Sequence, residues 1–182
     1  MLFNSLPFFL LVLATFVLFY LQTNGRLQTA ILIAASLIFY GYGQLYLLIL
    51  LIASASINAL TSYRVYFATS NRQRFYWAFA GVATNLLVLA FFKYNRLLVS
   101  SFFGDGLGDG VGAVLVTLPL PIGISFYTFQ GISLLVDAYR NFSEKRLSPI
   151  TLDEKFSSHF SKTFFFIVFF PQLVAGPIVK AH

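Results

Sequence analysis

The sequence predicts an all-α, polytopic helical membrane protein with about six membrane segments and one interfacial amphipathic helix. Three observations carry this. Hydrophobic residues make up 58% of the 182 and charged residues only 10%, outside the range of soluble domains. Apolar runs approaching the length needed to cross a bilayer core of about 30 Å recur between short polar connections. Nine of the twelve Lys and Arg residues lie at or beyond the C-terminal ends of the first, third and fifth of those runs, an alternation that fixes topology in membrane proteins. Residues 1–182 form a single membrane domain on this reading. The chain has no cysteine, which excludes a disulfide framework, a thiolate metal site and a cysteine nucleophile. Its net charge of +6 is dispersed among loops and forms no basic stripe with interleaved aromatics, so no nucleic-acid partner is expected.

The first run, Leu6 to Leu21, is preceded by no basic residue and followed by Gln22-Thr23-Asn24-Gly25-Arg26, so it reads as a retained span and not a cleaved leader. Leu27 to Tyr42 is the second, and Gly41 and Gly43 permit the reversal into the third, Leu45 to Phe67. Within the third span, Ala55 and Ala59 share one stripe and Ser54, Asn58 and Ser62 the next. Small and weakly polar residues at four-residue spacing let helices approach in lipid and hydrogen-bond across the contact, so packing is the expected role. Phe75 to Phe92 is the fourth span, closed by Lys93-Tyr94. Tyr40, Tyr42, Tyr46, Tyr76 and Trp77 fit interfacial aromatic belts.

Ser100 to Gly112 contains FFGDGLGDGVG. It follows no phosphate-cradle spacing and is no repeat, so a flexible extramembrane loop is expected. The fifth span, Leu118 to Asn141, has Pro119 and Pro121 near its start and Asp137 and Arg140 near its end. Irregular backbone at membrane depth survives where it is buried in protein or lines a wet cavity, and Ser125, Tyr127, Thr128 and Gln130 supply polar groups for such a cavity. Asp137 and Arg140, three apart on one helix face, can pair, or can anchor the helix end at the interface. Thr151-Leu152-Asp153-Glu154 has the form of a capping box. Beyond it Leu152, Phe156, Phe160, Phe164 and Ile167 form an apolar stripe, with His159 on the polar side, which predicts an interfacial helix and a solvated His159. The sixth segment, Phe164 to Val179, is broken by Pro171, Gly176 and Pro177. By the positive-inside rule the N-terminus lies outside and the odd-numbered loops are cytoplasmic.

The stretches PIGISFYTFQGISLLVDAYR and FFPQLVAGPIVK, in that order and at that spacing, closely resemble the paired signature of the membrane-bound O-acyltransferases, in particular the branch containing alginate O-acetyltransferases. RLQTAILIAASLIFYGYG and FFKYN are similar to that branch in character. The resemblance implies a bacterial inner-membrane enzyme that moves an acyl group, most simply acetyl from acetyl-CoA, to hydroxyls of an extracytoplasmic polysaccharide such as alginate, directly or through a periplasmic acetyl-transfer protein. No bound cofactor or metal is implied. Pro121, Gly123, Ser125, Tyr127, Asp137, Arg140, Pro171, Gly176 and Pro177 match the signature and are expected to shape a substrate path. Family members carry their catalytic histidine in a span well downstream, and this chain stops at His182. The expectation is therefore an N-terminal portion of a longer protein, lacking the catalytic C-terminal half and inactive alone. D-alanyl transfer to teichoic acid, with a cytoplasmic carrier protein, is the alternative within the family. A non-catalytic scaffold or small transporter, with Asp137 and Arg140 on a solute path, is the alternative outside it.

Overall fold

The computed structural model describes residues 5–42, 45–103, 121, 123–143 and 155–171. All its regular structure is helical: α1 (Leu6–Leu21), α2 (Gly25–Gly41), α3 (Leu45–Phe67), α4 (Asn71–Phe103), α5 (Ile124–Ser143) and α6 (Phe156–Val168). Two helical stretches, Leu45–Phe67 and Asn71–Asn95, are long and apolar enough to cross a membrane, and Leu6–Leu21 and Gly25–Gly41 are shorter apolar helices. Of the six expected spans, these two meet the required length and composition among the described residues. Large apolar side chains such as Phe9, Leu13, Ile49, Phe79 and Leu87 face outward, as lipid contact requires.

Helix α3 is the hub, with α2, α4, α5 and α6 packed around it. The reason lies in its two small-residue stripes: Ser54, Ala55, Asn58, Ala59 and Ser62 are all buried. One core cluster joins Leu51 and Ala55 of α3 to Ile124 and Tyr127 of α5 and Phe164, Ile167 and Val168 of α6. A second joins Val65 of α3, Ala78 of α4 and Leu135 and Ala138 of α5. Between them, Asn58 and Asn85 exchange amide hydrogen bonds of 3.2 and 2.8 Å, and each also donates to its own helix, at Ser54 O and Gly81 O. Gly131 lets α5 press onto this pair. A Cβ there would lie 2.5 Å from Asn58 Oδ1 and 2.6 Å from its Nδ2.

Helix α1 packs on α2, and only Thr15 of its residues is buried. The turn between the two is held locally. Asn24 Oδ1 accepts from the Arg26 N–H, an N-cap for α2, and Gln28 Nε2 donates to the carbonyls of Gln22 and Phe19 at the end of α1.

Three sequence expectations change. The fourth helix runs on through Lys93-Tyr94 to Phe103, because nothing in Asn95 to Phe103 breaks a helix; the expected loop therefore begins later, and residues 104–112 lie outside the described residues. The prolines of the fifth segment precede its helix, which starts at Ile124. Helix α6 does not keep its whole polar side in solvent: Lys155 and Lys162 are exposed, but His159 is not. It packs against α3, with His159, Thr163, Phe164, Ile167 and Val168 buried and Phe156 exposed. The predicted capping box at residues 151–154 lies outside the described residues.

Candidate functional site

The signature residues build the entry of α5. Gly123 has φ 79°, a left-handed conformation that suits glycine and strains other residues. This turn lets the Pro121 carbonyl accept from Ile124 N (3.2 Å) and the Gly123 carbonyl accept from Tyr127 N (3.0 Å), so the chain passes from Pro121 directly into helix. Ser125 is half-buried and its carbonyl accepts from Thr128 Oγ1 at 3.1 Å. Thr128 also bonds Ile124 O at 2.6 Å, so its hydroxyl is used within its own helix. Tyr127 and Gln130 are fully buried. The Tyr127 hydroxyl meets that of Tyr40 of α2, and Gln130 Oε1 has no hydrogen-bond partner.

At the other end of α5, Asp137 is half-buried, with its Oδ2 enclosed and unpartnered, while Arg140 is exposed. The Asp137 carboxyl lies within electrostatic reach of Tyr66 on α3. The Tyr66 ring in turn stands edge-on to His159, centroids 5.8 Å apart, and Tyr63 flanks the same imidazole at 5.6 Å. His159 itself is 1% exposed. Its Nε2 is 2.9 Å from Ser62 Oγ and 3.4 Å from Thr163 Oγ1. The expectation of a solvated His159 is therefore overturned. A buried imidazole needs hydrogen-bond partners, and Ser62, one turn below Asn58 on the polar stripe of α3, supplies one.

Arg74 closes the same end of the bundle. It is buried and donates from Nε to Val65 O (3.2 Å), from Nη2 to Ala68 O (2.8 Å) and from Nη1 to Asn71 Oδ1 (3.0 Å). A guanidinium on the last carbonyls of α3 satisfies orphan acceptors and complements the helix dipole. Arg64 and Arg72 lie over the rings of Trp77 and Tyr76, at 5.2 and 5.7 Å, which gives the aromatic belt at the start of α4 its cations.

Near the second signature block, Phe169 takes φ −58° and ψ 110° and ends α6. The freed N–H of Phe170 donates to Ser36 Oγ of α2 at 3.2 Å. Pro171 is exposed and, with Phe169, Phe170, Val12, Phe16 and Leu32, lines an apolar notch of about 260 Å³. Gly176 and Pro177 lie outside the described residues.

The expected site residues therefore fall into two groups. Pro121, Gly123, Ser125 and Tyr127 sit at one end of α5. Asp137 and Arg140 sit at the other, beside a His159–Ser62–Tyr66 cluster that pattern reading missed. The signal for that cluster was present in the four-residue polar stripe on α3, which needs polar partners on a neighbouring helix.

No family model and no solved structure matches the chain. Curated relatives do. The chain is 33% identical over 184 aligned residues to a probable alginate O-acetylase of Azotobacter vinelandii, covering 99% of the chain and 34% of that protein. It is 32% identical to the corresponding protein of Pseudomonas aeruginosa, covering 99% of the chain and 33% of the relative. Against a peptidoglycan O-acetyltransferase of Helicobacter pylori it is 34% identical over 161 residues, covering 81% of the chain and 30% of the relative. The chain is homologous to the bacterial O-acetyltransferases of the membrane-bound O-acyltransferase family, and it spans about a third of their length.

Proposed function

We propose that this chain is the N-terminal part of a bacterial inner-membrane O-acetyltransferase that acetylates hydroxyls of an extracytoplasmic polysaccharide. The observation that carries the reading is the 33% identity along 99% of the chain to a probable alginate O-acetylase. The acceptor is alginate or another uronate polymer, with peptidoglycan as a second reading favoured by the match to the Helicobacter pylori protein. Acetyl-CoA is the donor, and the acetyl group reaches the polymer directly or through a periplasmic acetyl-transfer protein. The relatives reported above are named for acetyl transfer, which favours acetyl over D-alanyl as the transferred group.

The parts of this chain have distinct tasks in that scheme. The Pro121–Gly123 turn and the break at Phe169 place irregular backbone against packed helices, where a path through the membrane can be lined without unsatisfied groups facing lipid. Asp137, Arg140 and the basic residues around them lie at the cytoplasmic end, where an anionic donor arrives. The histidine that acts on the acceptor belongs to the part of the protein beyond this chain, and the 182 residues alone are inactive.

Deleting the gene and measuring base-labile acetate on the exported polysaccharide and on peptidoglycan tests the reading. Loss of acetate from one of the two polymers identifies the acceptor. Unchanged acetate on both would sink the assignment. A membrane-impermeant label directed at the exposed Arg72 in intact cells tests the orientation, and reaction there would reverse it.

A further inference from the structure

Helix α5 presents an unusual face to α3 and α6. Tyr127, Gln130, Leu134 and Asp137 fall within one arc of about 80° at 100° per residue. Tyr127, Gln130 and Leu134 are at most 2% exposed. Yet this one face carries Gln130 Oε1 and Asp137 Oδ2, buried atoms with no hydrogen-bond partner among the described residues, and the Tyr127 hydroxyl, set against that of Tyr40. Elsewhere in the bundle the polar side chains are matched. Asn58 finds Asn85, Ser62 finds His159, Ser36 accepts from Phe170, and Thr61 and Thr128 bond back to their own helices.

An unmatched amide or carboxyl buried in apolar surroundings costs roughly 1–3 kcal/mol, and the cost recurs at each site. Such groups persist in proteins where an internal water completes their hydrogen bonds. The neighbourhood is suited to water. Around Gln130, the Tyr127 hydroxyl stands one turn away and the Tyr40 hydroxyl faces it across the helix boundary, giving donors and acceptors at several angles. Around Asp137, Tyr66 supplies a second hydroxyl.

We propose that the α5 face is wet: internal water binds at the Gln130–Tyr127 level and again at the Asp137–Tyr66 level, with Leu134 as the apolar step between. The two levels are about 10 Å apart along the helix axis, so together with Tyr127 they span roughly half of a bilayer's hydrocarbon core. The consequence is a supply of exchangeable protons within a domain whose outer surface is apolar, fed from the end where Asp137, Tyr66 and His159 meet. The inference rests on packing and holds whether or not the intact protein transfers acetyl groups.

Radiolytic hydroxyl labelling of the intact protein in lipid nanodiscs tests it, because radicals generated from bound water oxidise buried side chains beside that water. Phe39 is the control: it is 5% exposed against 0% for Tyr127, but packs against Phe8 and Phe170. Tyr127 and Leu134 are expected to be oxidised several-fold faster than Phe39, despite their deeper burial. Gln130→Leu should bring Tyr127 down to the Phe39 rate, and Gln130→Glu, which keeps an acceptor, should not. Oxidation of Tyr127 and Leu134 at or below the Phe39 rate overturns the proposal, as does unchanged labelling in Gln130→Leu. Because the readout is independent of acetyl transfer, its failure would leave the enzymatic reading standing, and the converse also holds.

Discussion

Replacing Gly131 by alanine should change sign with the residue opposite. The added Cβ would fall 2.5–2.7 Å from the Asn58 amide atoms, so either α5 retreats or the Asn58 side chain moves. Overpacking of this kind costs about 1–3 kcal/mol. Moving Asn58 also breaks its exchange with Asn85, worth about 0.6–1.7 kcal/mol for intramembrane hydrogen bonds. Against this stands a helix-propensity gain of about 1 kcal/mol for alanine over glycine. The net expectation is a loss of about 1–3 kcal/mol in the natural background. In an Asn58→Ala background the obstructing amide is gone, and the same Gly131→Ala change should be neutral or stabilise by up to about 1 kcal/mol. Reversible SDS or thermal unfolding of the intact protein in detergent micelles, run on all four members of the cycle, measures both values. Equal effects of Gly131→Ala in the two backgrounds would show that α5 does not rest on Asn58.

The buried imidazole gives a second test: His159→Leu leaves Ser62 and Thr163 without their shared partner and should lower stability by about 1–3 kcal/mol, whereas His159→Gln should recover part of the loss, both read by the same unfolding assay. Arg74→Met removes two hydrogen bonds from the end of α3 and one from Asn71 at the start of α4 and should destabilise by roughly 2–4 kcal/mol, with Arg74→Lys intermediate because an ammonium cannot reproduce the planar fork. Limited proteolysis near residues 66–71 provides the local readout, and cleavage unchanged in Arg74→Met would refute the capping role. Asp137→Asn in the intact protein should fold normally yet lower acetyl transfer, measured as polymer-bound acetate in cells. Full activity would assign Asp137 to anchoring of the helix end alone.

Membrane helices were legible in the sequence where periodicity did not matter. The third span was read as Leu45 to Phe67 and folds as Leu45–Phe67, since its length and apolarity are enough. Its two small-residue stripes were also read correctly as packing faces. The failure came at α6, and the cause is the solvent. The apolar stripe holds at Phe164 and Ile167, which are buried, and fails at Phe156, which is exposed; in lipid an outward phenylalanine costs nothing and a polar side chain turns inward wherever a partner waits. Lys155 and Lys162 stay exposed, while His159 and Thr163 turn inward, His159 onto Ser62 of α3. Pairing across helices, as between Ser62 and His159 or Asn58 and Asn85, joins residues 97 and 27 positions apart. No local pattern encodes such distances, although the polar stripe on α3 marks one half of each pair.

The contact between Ser36 and Phe170 joins residues 134 positions apart, and this sets an order of events during synthesis. At about 5–20 residues per second, the second helix waits on the order of ten seconds before its final anchor has been made. Until α3 emerges to pack on α2, the α1–α2 hairpin rests on its own restraints, chiefly the Gln28 amide on the Phe19 and Gln22 carbonyls. Loss of Gln28 should therefore show itself first as a defect in assembly yield during biogenesis, with little change in the stability of molecules that have already matured.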